Sequence, residues 1–316
     1  MALERVKKSF SHQINTVTIG KGDNAVKVGG HDGLPFMYEE AENPHSPVIA
    51  MDVFDQAPER WTDIYKDSIG KEVLDNPVDW AKKAEELGAD LVSLRFTQHA
   101  VEEDPASPEE CVEIATAVNE AVDLPLVIWG SGDEEPDNEM FPEVSQALAG
   151  EQCLIGSVTE DNYKTIAATA IADGHNIIGE SPIDINICKQ VNILLSDMGF
   201  PTDKIVIFTT NGPLGYGIEY AYSIMERTRT ASLGGDKMMA MPIIADIGPE
   251  SQRAKEVKVS AEEEPSWGNQ AERTIAWETS TAVAYLQAGA DILTMANPDA
   301  IEYLQSYIDK MTPDQK

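Results

Sequence analysis

The residues of this chain able to do chemistry are mostly acids, hydroxyls and amides, and they stand just after short apolar runs. In chain order they are Asp52 and Asp55; Arg95, Thr97 and His99; Ser131 and Asp133; Thr159 and Glu160; Ser181 and Asp184; Thr209 and Asn211; Asp246; and Asn297. What is missing narrows the chemistry further. No lysine stands at such a position, since Lys204 precedes its run, so an imine-forming aldolase is not expected. There is no HxH or HExxH, and His99 is the only histidine in the set, so a zinc or di-metal hydrolase centre lacks its ligands. No nucleophile-elbow sequence supports Ser–His–Asp catalysis. Asp52, Glu160 and Asp246 are open to a paired-carboxylate role such as glycoside cleavage. That chemistry usually wants an aromatic-lined mouth, where Trp129 is almost alone. The segment TTNGPLGYGIEY (Thr209 to Tyr220) is Gly-rich and leads into a helix. Its amides suit an anion or a flat polar ligand, or else it is a tight turn needing positive φ.

The elements that must position these groups repeat eight times from residue 47 onward. The runs are PVIAMDV (from Pro47), DLVSLRF (from Asp90), LPLVIWG (from Leu124), CLIGSV (from Cys153), NIIGES (from Asn176), KIVIFTT (from Lys204), MPIIADI (from Met241) and DILTMA (from Asp291). Each is nearly continuously apolar, as a strand covered on both faces should be. Between them lie amphipathic stretches such as PVDWAKKAEELGAD and AERTIAWETSTAVAYLQAGAD, whose LGAD and AGAD endings place a Gly helix stop before the next strand. Residues 298–310 supply the eighth helix. This pattern predicts a (β/α)8 TIM barrel, with the chemistry-bearing residues gathered at its C-terminal mouth. No GxGxxG follows the first run, which argues against an open dinucleotide-binding sheet.

Two additions are expected. Residues 13–30, QINTVTIGKGDNAVKVGG, alternate across a Gly-Asp-Asn turn and read as an N-terminal β-hairpin covering the opposite mouth. The seventh run is followed by a long loop, about Gly248 to Gly268, carrying RAKEVKVSAEEEPSW; structureless loops of that length tend to be functional. The division expected is residues 1–46 as N-terminal extension with the hairpin, 47–311 as barrel and 312–316 as tail.

In 316 residues, 55 acids against 23 bases give a net charge of −32. A field of that sign repels phosphate backbones and anionic lipid, so neither nucleic acid nor a membrane surface is an expected partner. No run reaches a membrane span, and the basic start MALERVKKSF is not followed by the apolar stretch of a secretory signal. Cys111, Cys153 and Cys188 lie far apart without a CxxC, which fits a reducing cytoplasm. A four-thiolate iron–sulfur cluster needs one cysteine more, so none is expected in this chain. DGHNIIG (Asp173 to Gly179) nearly matches the D-x-H-x-x-G signature that supplies a histidine to cobalamin cobalt. However, Ile178 takes the Gly place and His175 falls at the wrong mouth, so it reads as a turn residue.

At SPIDINICKQVNILL (Ser181 to Leu195) and LGYGIEYAYSIMERTR (Leu214 to Arg229) a family resemblance emerges. With GDKMMAMPII (Gly235 to Ile244), RAKE (Arg253 to Glu256) and WGNQAERTIAWE (Trp267 to Glu278), the chain closely resembles the small subunit of the bacterial corrinoid iron–sulfur protein. That subunit is also called the delta subunit of the CO dehydrogenase/acetyl-CoA synthase system. The resemblance covers nearly the whole chain. It implies a non-catalytic TIM-barrel subunit paired with a large subunit that holds the iron–sulfur cluster and the cobalamin. The barrel mouth would cover the corrin, so the cofactor is shared between the two chains. The pair would take a methyl group from methyltetrahydrofolate through a separate methyltransferase and deliver it to acetyl-CoA synthase in the Wood–Ljungdahl pathway. Such a lid needs no lysine nucleophile, metal triad or cysteine cluster, because the cofactor carries the chemistry.

On this resemblance Arg95, Ser131, Ser181, Asp184, Asn211, Gly212, Gly215, Tyr216 and Asp246 are expected to face the corrin, with no catalytic and no metal-ligating residue. Asp184 is equally placed to cap a helix. Arg253, Lys255 and Trp267 would meet the large subunit, or RAKE is a solvated charge run. Two readings compete. One is a methyltetrahydrofolate–corrinoid methyltransferase, since the family is related to pterin-dependent methyltransferases; Asp52, Asn211 and Asp246 would then touch the pterin. The other is a scaffold without cofactor contact.

Overall fold

The computed structural model describes residues 7–312. The last four residues of the expected tail and the first six of the N-terminal extension lie outside them. Two antiparallel strands, β1 (Thr16–Ile19) and β2 (Val26–Gly29), pair with Ile19 opposite Val26 and Thr16 opposite Gly29. They are joined through a short 3-10 turn at Gly22–Asn24, where the sequence places Gly-Asp-Asn. Gly29 adopts φ +81°, and a Cβ there would stand 2.2 Å from the Asn15 carbonyl oxygen, so this strand end admits only glycine.

Eight parallel strands follow: β3 (Val48–Phe54), β4 (Leu91–Arg95), β5 (Leu126–Trp129), β6 (Leu154–Val158), β7 (Asn176–Ser181), β8 (Ile205–Thr209), β9 (Ile244–Asp246) and β10 (Ile292–Met295). Their order β8-β7-β6-β5-β4-β3-β10-β9 is closed by a parallel bridge between Ile207 and Ile243. The expected TIM barrel is therefore the fold, and each strand lies on its predicted apolar run.

Three helices, α1 (Asp63–Ile69), α2 (Lys71–Leu74) and α3 (Pro77–Glu86), link β3 to β4. Single helices then alternate with strands: α4 (Pro108–Ala121), α5 (Glu134–Ala147), α6 (Tyr163–Asp173), α7 (Ile185–Asp197) and α8 (Ile218–Leu233). The segment after β9 is not structureless as expected. It folds into two single turns, α9 (Gly248–Ser251) and α10 (Lys255–Lys258), before α11 (Gln270–Ala288). Arg273 supplies the reason: its guanidinium donates to the carbonyls of Glu256, Val259, Trp267 and Gly268, tying the loop to the first turn of α11. The last helix, α12 (Pro298–Met311), opens on Asn297, whose side chain accepts from the Asp299 and Ala300 amides.

The core has two parts. Outward strand residues such as Ile49, Val92, Ile177 and Leu293 pack against the helices. Inward residues, among them Val48, Leu91, Leu154, Val206 and Ile292, meet Val17, Ile19 and Val28 of the hairpin. The hairpin thus plugs the N-terminal mouth, as the alternation predicts. Polar groups seal it: Asn176 Nδ2 donates to the Thr18 carbonyl at 2.9 Å, and the Asn15 amide to the Ala240 carbonyl at 2.7 Å. Cys111, Cys153 and Cys188 are free and buried, and burial pushes each thiol up to about 12.

Candidate functional site

With the lower mouth plugged, the open end of the barrel is where strands β3 to β10 finish, and its centre is an ion cluster. Strand alternation sends Asp52, Arg95, Asp246 and Thr294 inward, in line with Ala50, Leu91, Ile244 and Ile292. Arg95 reaches from β4 across the mouth. Its Nε donates to Asp52 Oδ1 at 2.6 Å, and its Nη2 to Asp246 Oδ1 at 2.5 Å and Thr294 Oγ1 at 3.0 Å. Ser93 Oγ also donates to Asp52 Oδ1 at 2.8 Å. Below the guanidinium lies Trp129, its ring centroid 4.8 Å away, braced edge-on by Phe208 at 5.3 Å. Burial drives the Asp52 carboxyl up to about 7, aided by the Asp246 charge and opposed by Arg95.

Asn211 holds Asp246 in place rather than facing outward: its Nδ2 donates to the Asp246 carbonyl at 2.6 Å and its Oδ1 accepts the Asp246 amide at 2.9 Å. The Gly-rich turn beyond it is stitched to α11. Tyr285 Oη donates to the Gly212 carbonyl at 2.5 Å, Trp277 Nε1 to the Leu214 carbonyl at 3.1 Å, and the Leu214 amide to Thr281 Oγ1 at 3.1 Å. A Cβ on Gly212 would lie 2.2 Å from the Tyr216 carbonyl oxygen, so the close turn itself explains that glycine. Gly215 adopts φ +81°, and Tyr216 is exposed on the rim.

The remaining expected residues are placed differently. Ser131 is exposed, and both its amide and Oγ donate to Asp137 Oδ1, which also meets His99 Nε2 at 2.7 Å. Asp184 caps α7, accepting from the Asn186 amide at 2.7 Å. Ser181 is buried on the outward side of β7, in line with Ile177, facing the helices. Arg253, Lys255 and Trp267 gather on the same rim: Lys255 Nζ lies 5.5 Å from the Trp267 centroid and Arg253 pairs with Glu250 at 3.0 Å. His175 lies at the plugged end. Its Nδ1 accepts the Cys153 amide and its Nε2 donates to the Ser145 carbonyl, so both nitrogens are committed.

Several mouth residues escape a reading of strand ends alone. Glu180 precedes Ser181 and takes the inward place, in line with Ile178; it accepts from Ser157 Oγ, and burial raises its carboxyl. Counting alternate residues back from the strand end would have found it. Glu250 on α9 is pushed up to about 7 by burial and then by the Asp246 charge. Glu278, fully buried on α11, accepts from the Ala296 and Asn297 amides and from Tyr65 Oη at 2.9 Å, and no strand-end signal points to it. Beside Glu180, a cleft of about 400 Å³ opens among Ser157, Thr159, Glu160, Asn162 and Thr210. Among the described residues no group of three His, Cys, Asp or Glu is set to hold a metal ion, and no helix is long and apolar enough to cross a membrane.

Solved structures share this architecture. Dihydropteroate synthase from Xanthomonas albilineans superposes with a TM-score of 0.58 at 12% identity, covering 88% of this chain and 98% of that one. The Thermus thermophilus dihydropteroate synthase gives 0.58 at 14%, covering 93% and 100%. At such identities the likeness concerns the fold. Sequence relatives are nearer. The acetyl-CoA decarbonylase/synthase complex subunit delta of Archaeoglobus fulgidus is 34% identical over 319 residues, 96% of this chain and 69% of that protein. Its Methanocaldococcus jannaschii counterpart is 31% identical over 296 residues, covering 90% and 69%. The family described as CO dehydrogenase/acetyl-CoA synthase delta subunit matches residues 16–308. With both the barrel and nearly all of its sequence accounted for, the chain belongs to the CO dehydrogenase/acetyl-CoA synthase delta subunit family.

Proposed function

We propose that this chain is the small subunit of a two-chain corrinoid methyl carrier, and that its open barrel mouth covers the corrin held by a large subunit. Relatives named as delta subunits of an acetyl-CoA decarbonylase/synthase complex support membership of such an assembly. Its further partners are then a methyltetrahydrofolate–corrinoid methyltransferase and acetyl-CoA synthase. The three buried free thiols suit a reducing compartment, and we place the assembly in the cytoplasm.

The observation that carries the reading is the ion cluster. Arg95 ties Asp52 Oδ1 and Asp246 Oδ1 into one ion cluster, so the mouth's centre is a braced surface rather than a set of unpaired acids poised to attack or deprotonate a substrate. A corrin is a flat macrocycle fringed with neutral amides, which need both donors and acceptors. The mouth has both. Arg95 Nη1 makes no hydrogen bond among the described residues and is not sealed from solvent, while Glu180 accepts only from Ser157. The bound corrin supplies the methyl-carrying cobalt. The chain's own residues would orient and shield it: Arg95 Nη1 and Glu180 are the donor and acceptor that would hold its amides, with Gly215 and Tyr216 on the rim beside them. Asp246, Asn211 and Gly212 hold these groups in position; Ser131 and Asp184 stay on the rim, and Ser181 supports β7 from behind.

The pterin-binding alternative loses ground on the same observation. Asp52, Asn211 and Asp246 do converge, but each is already paired inside the chain. Purification from the native source, with a visible spectrum and a cobalt and iron count, tests the proposal. A larger chain arriving with corrinoid and iron is the expected result. A colourless chain that purifies alone and titrates methyltetrahydrofolate would overturn it in favour of the methyltransferase.

A further inference from the structure

The N-terminal extension leaves the hairpin at His31 and crosses the plugged end of the barrel before entering β3. His31 Nε2 lies 2.9 Å from Asp291 Oδ1, just ahead of β10. The other carboxylate oxygen of Asp291 accepts from Arg229 Nη2 on α8 at 2.9 Å and from the Ile243 amide at 2.8 Å. Arg229 and Asp291 are each 2% exposed, so the ion pair is closed off from solvent. Burial pushes the Asp291 carboxyl up, but Arg229 and then His31 outweigh it and hold the group below the ordinary aspartate value. Asp291 is therefore an acceptor only. The proton it shares with His31 sits on Nε2, and in the neutral ring Nδ1 is left as a lone pair.

Beside this pair is a cavity of about 20 Å³, lined by His31, Asn43 and Arg229 and closed by Phe36, Pro47 and Leu286. Among the described residues, Arg229 Nε and Nη1, His31 Nδ1 and Asn43 Oδ1 are buried without a hydrogen-bond partner. Asn43 Nδ2 donates to the Leu34 carbonyl at 3.5 Å, which leaves its Oδ1 as the free end of the amide. Gly289 keeps the space beside the guanidinium open: its φ is +112°, and a Cβ there would stand 3.0 Å from Arg229 Nε.

The balance of these atoms selects the occupant. Arg229 offers only donors, whereas His31 Nδ1 and Asn43 Oδ1 offer only lone pairs. A cation would meet the guanidinium. A halide would meet both lone pairs and the Asp291 charge, with no proton to give to either acceptor. Water has lone pairs for Arg229 and O–H groups for His31 and Asn43. One water needs roughly 10–15 Å³ of such space, and about 20 Å³ is present. We infer that a single buried water binds here and bridges Arg229 to His31 and Asn43, pinning the N-terminal extension to α8 and β10 through solvent as well as through the His31–Asp291 contact. The pin lies at the opposite end from the open mouth, so it does not depend on what covers that mouth.

Crystals of the full chain, grown once in chloride and once in bromide, read the occupant directly. The expected result is one peak within hydrogen-bond distance of Arg229 and of His31 Nδ1 or Asn43 Oδ1, with no anomalous signal from bromide. A bromide signal at that place overturns the inference in favour of a halide site. So does a cavity with no peak, or a peak that touches Arg229 alone or the extension alone. Asn43→Leu keeps the bulk of the side chain and removes one acceptor. Magnetic relaxation dispersion of the water oxygen counts long-lived buried waters in solution, and the count should fall by one in Asn43→Leu relative to the natural chain. An unchanged count overturns the bridge. Should Asn43→Leu fail to fold, the two crystals of the natural chain still decide the matter, since they need no variant.

Discussion

The Tyr216 hydroxyl donates to Glu256 Oε2 at 3.0 Å and accepts the Lys255 amide at 3.2 Å, so one exposed phenol joins the turn after β8 to α10. This contact spans two loops that each pack separately on α11. It is the lightest of the links holding the segment over the rim, because Arg273 anchors the rest through carbonyls. Tyr216→Phe should therefore loosen α10 without unfolding the barrel, changing global stability by less than about 1 kcal/mol. Hydrogen exchange should speed up in residues 252–259 and remain unchanged in β3 to β10. Equal protection of that segment in both proteins would show that the phenol holds nothing.

Glu250 sets a pH dependence of definite sign. Its carboxyl is raised to about 7 by burial and by the Asp246 charge, whereas in the unfolded chain it titrates near the ordinary glutamate value. The folded state thus binds the extra proton, and the stability this contributes is present below about pH 4 and lost as pH rises through 7. Glu250→Gln cannot titrate. The natural chain should lose on the order of 2 kcal/mol relative to Glu250→Gln between pH 5 and pH 8. Denaturant melts of both proteins at the two pH values give the difference, and parallel curves would refute the assignment.

The hairpin plug makes a packing prediction. Ile19 is fully buried among Val48, Leu91 and the other inward residues of the lower barrel, at a place no helix reaches. Ile19→Ala should cost about 2–4 kcal/mol, the range for a large-to-small change in a closed core. Ile171, nearly half exposed on α6, is the control, and its alanine variant should cost less than about 1 kcal/mol.

The barrel was legible because each strand is an apolar run and several helices, among them α6 at Gly174 and α11 at Gly289, stop on a glycine; those are local signals. The site was legible only in part, because its residues act at a distance. Asp52, Arg95, Asn211 and Asp246 stand at strand ends and were found there. That Arg95 would bridge both acids depends on β9 lying two strands from β3, which only closure of the barrel decides. Ser181 and Glu180 differ by one residue, and a strand's alternation, not its end, selects the inward one. Asp184 offered two roles from sequence, and its bonds to the Asn186 and Ile187 amides give it the cap. Glu278 and Tyr285 reach the site from a helix late in the chain, where nothing nearby in sequence distinguishes them from ordinary buried-face residues.

Tyr65 and Glu278 form the deepest of these long-range pairs. The Glu278 carboxylate is buried on α11, and its three donors are the Ala296 amide, the Asn297 amide and Tyr65 Oη. Burial raises its pKa, and the bond from Tyr65 works against that rise. Tyr65→Phe removes the donor while keeping the ring that packs edge-on against Trp61 at 4.8 Å, so the change is confined to the hydrogen bond. The carboxylate is left with an unpartnered oxygen, which should cost about 1–3 kcal/mol near neutral pH. The acid then takes up a proton more readily in the folded state, so the loss should shrink as pH falls and grow as pH rises past the natural carboxyl's titration. A Tyr65→Phe penalty that does not change with pH would mean that Glu278 keeps one protonation state throughout and that this bond is not linked to its titration.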